Sequence, residues 1–187
     1  MVENEFKLML TEQQYTKLYS MYGWDKEFTQ TNYYFDTSSL DLINLHITCR
    51  VRLVEGAYFL QMKFPNGAQH SRIELEQHIG DALPFMLSAE ELNNLSGKDD
   101  MPDVKLVGEL TTFRSIKKFK NAEIDLDKSS YFGKTDYELE IEFTDEQAAR
   151  ELLKEIKQIL GIETSGDVCL GKVHRFIAEY KNKKGER

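Results

Sequence analysis

The residues able to do chemistry fall in short alternating rows. At the N-terminus Glu3, Glu5 and Lys7 share one phase, with Phe6 and Leu8 on the other. On a β-strand, residues two apart lie on one face at about 7 Å. The same charged phase returns along the chain. Arg50 and Arg52 alternate with Cys49, Val51 and Leu53, and Lys63 is in phase with Gln61 against Leu60 and Met62. Arg72, Glu74 and Glu76 alternate with Ile73 and Leu75, and Arg114 follows. Asp125 and Asp127 then alternate with Ile124 and Leu126, and Glu138, Glu140 and Glu142 with Leu139, Ile141 and Phe143.

Any one such row matches an antiparallel sheet with a wet face. Taken together they say more. Like charges side by side destabilise a sheet, so three glutamates with little local compensation suit a face that carries a cation. Hard divalent ions such as Mg²⁺ and Mn²⁺ take oxygen ligands, and Mg²⁺ commonly combines one or two carboxylates with substrate phosphates. Arginine and lysine hold phosphate oxygens, arginine often bidentately. Rows of both signs facing a common space describe a site for a polyphosphate chain. Phosphoryl transfer there needs positioning, charge neutralisation and an aligned nucleophile.

The elements that must position these rows are read from caps and periodicity. Thr11 with Gln14 forms a capping box, and Tyr15, Leu18, Tyr19 and Tyr22 make one stripe that Gly23 ends. Ser88 with Glu91 opens a short helix through Leu92 and Leu95 to Gly97. Thr144 with Gln147 opens a longer one, whose Ala148, Ala149, Leu152, Leu153, Ile156 and Ile159 keep helical period to Gly161. A last helix carries Val173, Phe176, Ile177 and Tyr180 and dissolves into the charged tail from Lys181. Strands are expected at roughly 2–10, 27–36, 45–54, 57–64, 70–78, 105–119 (two strands or one long bent one), 121–128 and 136–143, with Gly56, Pro65-Asn66-Gly67 and Gly133 as turns. Hairpin-short links favour antiparallel pairing, and residues 79–104 read as a helical insert. The expectation is an α+β fold, an eight-stranded antiparallel barrel with a charged interior, its apolar phase packed beneath peripheral helices in a single domain, 1–187.

Composition bounds the function. The formal charge of −8, from 32 acidic and 24 basic side chains, argues against nucleic acid as a partner. No apolar run reaches membrane-spanning length, and no signal segment is read at the N-terminus. Cys49 and Cys169, far apart, read as reduced thiols of a cytoplasmic protein. No P-loop, HExxH, EF-hand or GxSxG pattern occurs, and Gly166 and Gly171 make no phosphate-cradling loop. His46, His70 and His78 are placed on strands as surface or lining residues, and His174 on the last helix. The Tyr33-Tyr34-Phe35 and Tyr131-Phe132 clusters read as core.

In order along the chain, Glu3-x-Glu5-x-Lys7, Tyr33-Tyr34-Phe35-Asp36-Thr37, Arg50-Val51-Arg52, Leu60-Gln61-Met62-Lys63, Arg72-Ile73-Glu74 and Thr112-Phe113-Arg114 resemble the motifs of the CYTH superfamily of triphosphate tunnel metalloenzymes. Asp125, Glu138-Leu139-Glu140-Ile141-Glu142 and Gly171-Lys172-Val173-His174-Arg175-Phe176 continue the resemblance, which is nearest the YjbK-type bacterial branch. The last motif departs from many relatives in carrying Gly171 and His174. The resemblance implies a tunnel in which a divalent metal, Mg²⁺ or Mn²⁺, supports hydrolysis of a triphosphate, inorganic triphosphate first. Cyclisation of ATP by a class IV-type adenylate cyclase, or non-catalytic binding of polyphosphate or nucleotide, are the alternatives. It also implies roles. Glu3, Glu5, Glu138, Glu140, Glu142 and Asp125 resemble metal-binding carboxylates, with the choice among the three alternating glutamates left open. Lys7, Arg50, Arg52, Lys63, Arg72, Arg114, Lys172 and Arg175 resemble phosphate-binding residues, Glu74 a lining residue, and Glu5, Lys7, Lys63 and Glu140 the catalytic group. Monomer and homodimer both remain open.

Overall fold

The computed structural model describes residues 2–67, 71–163 and 169–185. His70, Gly166 and the last two residues of the tail lie outside the described residues. The elements run β1 (Val2–Leu10), α1 (Glu12–Met21), β2 (Lys26–Asp36), α2 (Asp41–Asn44), β3 (Thr48–Val54), β4 (Ala57–Pro65) and β5 (Ser71–Gly80). Then come β6 (Met86–Leu87), α3 (Ala89–Ser96), β7 (Val104–Lys118), β8 (Ala122–Tyr131), β9 (Lys134–Phe143), α4 (Glu146–Leu160) and α5 (Lys172–Lys184). The hydrogen-bonded strand order is β2-β3-β4-β5-β1-β9-β8-β7-β6, and β2 also pairs with β7. The eight long strands thus close into the expected antiparallel α+β barrel, and the two-residue β6 is an addition on β7. Among the described residues no helix is long and apolar enough to cross a membrane.

The chain divides into two compact units, one of residues 1–2 and 29–111, the other of residues 3–28 and 112–187. Each has its own core. In the second unit Phe6, Leu8 and Leu10 of β1, Ile124 and Leu126 of β8, and Leu139 and Ile141 of β9 are buried beneath Tyr15 and Leu18 of α1 and Ala149, Ile156 and Leu160 of α4. In the first, Cys49 and Val51 of β3 and Leu60, Met62 and Phe64 of β4 pack with Leu42 of α2 and Leu92 of α3. Each fully buried aliphatic side chain contributes roughly 1.5–3 kcal/mol. The helices therefore consume the apolar phase of the strands, which leaves the charged phase on the opposite face of the sheet.

Local chemistry explains most boundaries. Both boxes at Thr11–Gln14 and Ser88–Glu91 form reciprocally. The β3–β4 and β8–β9 hairpins turn on Glu55-Gly56 and Phe132-Gly133, all four residues at positive φ, as the primed two-residue turns require. Four expectations are corrected. The N-cap of α4 is Asp145, not Thr144; its carboxylate accepts from Gln147 and Ala148 N–H at 3.0 and 3.2 Å. A carboxylate suits the positive end of the helix better than a hydroxyl, and the Thr144 hydroxyl turns to the Asn121 carbonyl instead. Helix α1 stops at Met21, before Gly23, because Tyr22 turns extended and packs edge-on against Trp24 and Phe119. Helix α5 continues through Lys184 to a left-handed cap at Gly185 rather than dissolving at Lys181. His46 lies in a left-handed turn after α2, since β3 begins only at Thr48.

Candidate functional site

Strand pairing in the second unit sets the rows. On either side of β9, Lys7 of β1 and Asp125 of β8 flank Glu140, Glu5 and Glu123 flank Glu142, and Met9 and Asp127 flank Glu138. Glu138, Glu140, Asp125 and Asp127 are buried, a placement that side chains of this type adopt only when paired or ligating.

Most of that charge is neutralised by protein cations. Glu140 is held by Lys7, by Arg114 at 2.6 Å and by Lys172 at 2.8 Å. Arg114 also clamps Asp127 through two bonds of 2.7 and 2.8 Å and pairs with Asp125. Lys172, from the first turn of α5, lies 2.7 Å from Glu138 and 2.8 Å from Asp127. Lys7 also reaches Glu5 at 2.7 Å. Burial alone would lower Lys7, but Glu140 and Glu5 outweigh it and hold the ammonium above its ordinary range. Burial likewise opposes ionisation of Glu140, yet Lys172, Lys7 and Arg114 hold it well below the usual carboxylate range. The glutamate row of β9 is thus compensated at Glu138 and Glu140 by residues from β1, β7 and α5.

Compensation ends at Glu142. Among the described residues it makes no ion pair, and burial, then Asp125 and Glu3, push its carboxyl up to about 8. Burial pushes Asp125 up to about 7 against the pull of Arg114, and its Oδ1 atom is buried without a hydrogen-bond partner. An orphaned carboxylate oxygen beside an unneutralised glutamate is a setting that suits a cation. The donors are all carboxylate oxygens, which fits a hard divalent ion. Among the described residues no three Asp, Glu, His or Cys side chains form a preformed metal cage. An ion that keeps waters and takes substrate oxygens, as Mg²⁺ does, needs none. Glu142, Asp125, Glu3 and Glu5 are the residues that could hold it.

The first unit carries a mainly basic face. Arg50 donates from Nε to Gln61 at 2.7 Å and lies 3.6 Å from Glu74; Lys63 reaches Glu74 at 3.0 Å. Burial would raise Glu74, but Lys63 and Arg50 bring its carboxyl down to about 2. Arg52 Nε donates to the buried Asn32 amide oxygen at 3.0 Å, and Gln61 passes its own N–H to Glu76. Arg72 donates to the Ser71 carbonyl at 3.0 Å and makes no ion pair among the described residues. Arg50, Arg52 and Lys63 are therefore pre-oriented guanidinium and ammonium groups on neighbouring strands.

Asp127, placed in a charged row by its sequence but given no role there, is fully buried and binds both Arg114 and Lys172. Its signal was its phase, two residues after Asp125. The sequence alone likewise gives Asn32 and Gln61 no role. Tyr34 and Phe35 are core as expected, whereas Asp36 is a cap: its carboxylate accepts from the N–H groups of Thr37, Leu42 and Ile43. Arg175 is brought to Asp136 and Glu138, at 2.9 Å each. His78 sits against Phe59 and His174 on the first turn of α5. Both cysteines are free.

Comparison with known proteins gives the family and the fold. A CYTH domain is matched over residues 1–168. Bacillus subtilis YjbK, a protein provisionally named a triphosphatase, is 33% identical over 168 residues, which are 86% of this chain and 87% of that protein. A Bacillus halodurans crystal structure, provisionally named an adenylate cyclase, superposes with a TM-score of 0.75 at 26% identity, covering 93% of this chain and 96% of that one. HpAC1 from Hippeastrum, provisionally named an adenylyl cyclase and reported to have a dominant triphosphatase activity, shares the fold with a TM-score of 0.71 at 20% identity, covering 95% of each chain.

Proposed function

The chain belongs to the CYTH domain family, and from that premise we propose that it hydrolyses a small-molecule triphosphate in the cytoplasm with the help of Mg²⁺ or Mn²⁺. The observation that carries the reading is the pair formed by Glu142 and the orphaned Asp125 Oδ1, two carboxyls raised above their ordinary range beside the cations Lys7, Arg114 and Lys172. Glu142, Asp125 and Glu3, with Glu5 next to them, are assigned to the metal. A divalent ion bound there supplies Lewis acidity toward phosphate oxygens and lowers the pKa of a bound water.

The protein's own groups do the remaining work. Lys7, Arg114 and Lys172 are assigned to the phosphoryl group being transferred, where negative charge grows on the equatorial and bridging oxygens. Glu138, Glu140 and Asp127 hold those three cations in place, so their geometry exists before substrate arrives. In the first unit Arg50, Arg52, Lys63 and Arg72 are assigned to phosphate oxygens from the family resemblance, and Glu74, Gln61 and Asn32 fix the heads of the first three. These groups recognise phosphate charge and shape rather than a base, so inorganic triphosphate is the favoured substrate. B. subtilis YjbK, by its name, supports the same reaction class.

The test is phosphate release from inorganic triphosphate, ATP and thiamine triphosphate, with Mg²⁺, Mn²⁺ or chelator, for the wild type and Glu142→Gln. Metal-dependent release that collapses in the variant is expected. Cyclic AMP with pyrophosphate from ATP would replace hydrolysis by cyclisation, and tight binding without turnover would leave a binding protein.

A further inference from the structure

The N-cap of helix α5 is Gly171, which has no side chain to offer the first N–H groups. Yet this first turn presents Lys172, whose ammonium must stand among Asp127, Glu138 and Glu140. One turn farther on, Arg175 has every guanidinium nitrogen engaged. Nε donates to Asp136 at 2.9 Å, Nη2 to Glu138 at 2.9 Å, and Nη1 to the Leu170 carbonyl, with the Cys169 sulfur 3.8 Å away. Asp136 is itself fixed by the Tyr131 hydroxyl at 2.5 Å. On the apolar side of the same helix, Phe176 is fully buried and stacks on Phe132 at the β8–β9 turn.

We propose that Arg175 is a positioning residue, a clamp that ties the first turn of α5 and the Leu170 carbonyl to Asp136 and Glu138 of β9 and so sets where Lys172 stands, rather than a ligand of phosphate. Arg114 and Lys172 also pair with carboxylates; what sets Arg175 apart is that its fork holds the Leu170 carbonyl, just before α5, together with Asp136 and Glu138 of β9. Three partners on three separate nitrogens use the rigid fork of a guanidinium, which a single-nitrogen ammonium lacks. The clamp also shares Glu138 between Arg175 and Lys172, so the two cations stay in register. This assignment rests on the triphosphatase reading for its kinetic consequence, but not for its structural one.

The experiment compares Arg175→Met, Arg175→Lys, Asp136→Asn and the double variant Asp136→Asn/Arg175→Met, by triphosphate kinetics and by backbone hydrogen exchange of α5. A positioning clamp predicts that kcat falls about 10- to 100-fold while KM stays within about threefold, since the reacting geometry is disturbed and charge binding is not. Asp136→Asn should reproduce much of that loss, the double variant should be little worse than Arg175→Met, and Arg175→Lys should not rescue. Amides of residues 172–176 should exchange faster in Arg175→Met and in Asp136→Asn, a readout that stands even if the wild type hydrolyses none of the three triphosphates. Unchanged exchange in both variants would overturn the clamp. So would a KM effect confined to Arg175→Met, with rescue by lysine and wild-type kinetics in Asp136→Asn; that pattern belongs to a phosphate ligand.

Discussion

Replacing Lys172 with methionine keeps the length of the side chain and removes its charge from a setting with three carboxylates within 2.8 Å. The ammonium side chain is 10% exposed and Asp127 wholly buried, so solvent cannot take its place. Breaking a buried ion pair by removing one partner costs about 3–5 kcal/mol. For a chain of this length each kcal/mol lowers Tm by roughly 2–4 °C, so the variant should melt about 10 °C below the wild type near pH 8. The deficit should depend on pH. In the wild type, cations hold Asp127 and Glu140 below the ordinary carboxylate range. Carboxylates depressed in the folded state stabilise it above their unfolded pKa, and that stability is lost as pH falls through the folded value. Without Lys172 these carboxyls titrate higher, so the variant regains proton-linked stability on acidification and the gap to wild type should narrow toward pH 4. Differential scanning fluorimetry at pH 8, 6 and 4.5, with Lys172→Arg as the charge-retaining control, measures this. A deficit under about 2 °C at pH 8, or one equal at all three pH values, would refute the electrostatic account.

The opposite sign is expected at Glu142. A carboxyl raised to about 8 by burial, Asp125 and Glu3 loses folded-state stability as pH climbs from its ordinary value through 8. Glu142→Gln should therefore raise the metal-free Tm by about 4–8 °C at pH 8.5, with little change at pH 4, and should weaken stabilisation by Mn²⁺. Equal melting of variant and wild type at pH 8.5 would count against an uncompensated charge there. Glu74, brought down to about 2 by Lys63 and Arg50 against burial, stabilises the fold above the ordinary glutamate pKa. Glu74→Gln should cost roughly 2–3 kcal/mol in urea unfolding at pH 7, and the difference should vanish as pH approaches 2. Asp36→Ala strands the N–H groups of Thr37, Leu42 and Ile43 and should cost about 2–3 kcal/mol, while Asp36→Asn, which keeps an acceptor, should cost less.

What the chain determines by itself follows from short-range rules. Alternation at Glu3–Leu8, Cys49–Leu53, Ile124–Asp127 and Glu138–Phe143 specifies strands with one charged face, because side chains of period two separate onto two faces whatever lies around them. Thr11 with Gln14 and Ser88 with Glu91 mark helix starts, because a cap is closed by residues three apart. The order of charged motifs is likewise a property of the string. Charge balance is not. Glu138 and Glu140 look uncompensated beside Glu142 in sequence, yet Lys7, Arg114, Lys172 and Arg175 neutralise the first two from positions 26–133 residues away or on a separate helix. Only strand register and the seating of α5 decide that, among the described residues, Glu142 is the one of the three glutamates without an ion pair. The same holds for Asp127 and Arg175, whose partners are chosen in space. Electrostatic energy depends on distance and burial, and neither is defined until the strands are paired and the helices have covered their apolar face.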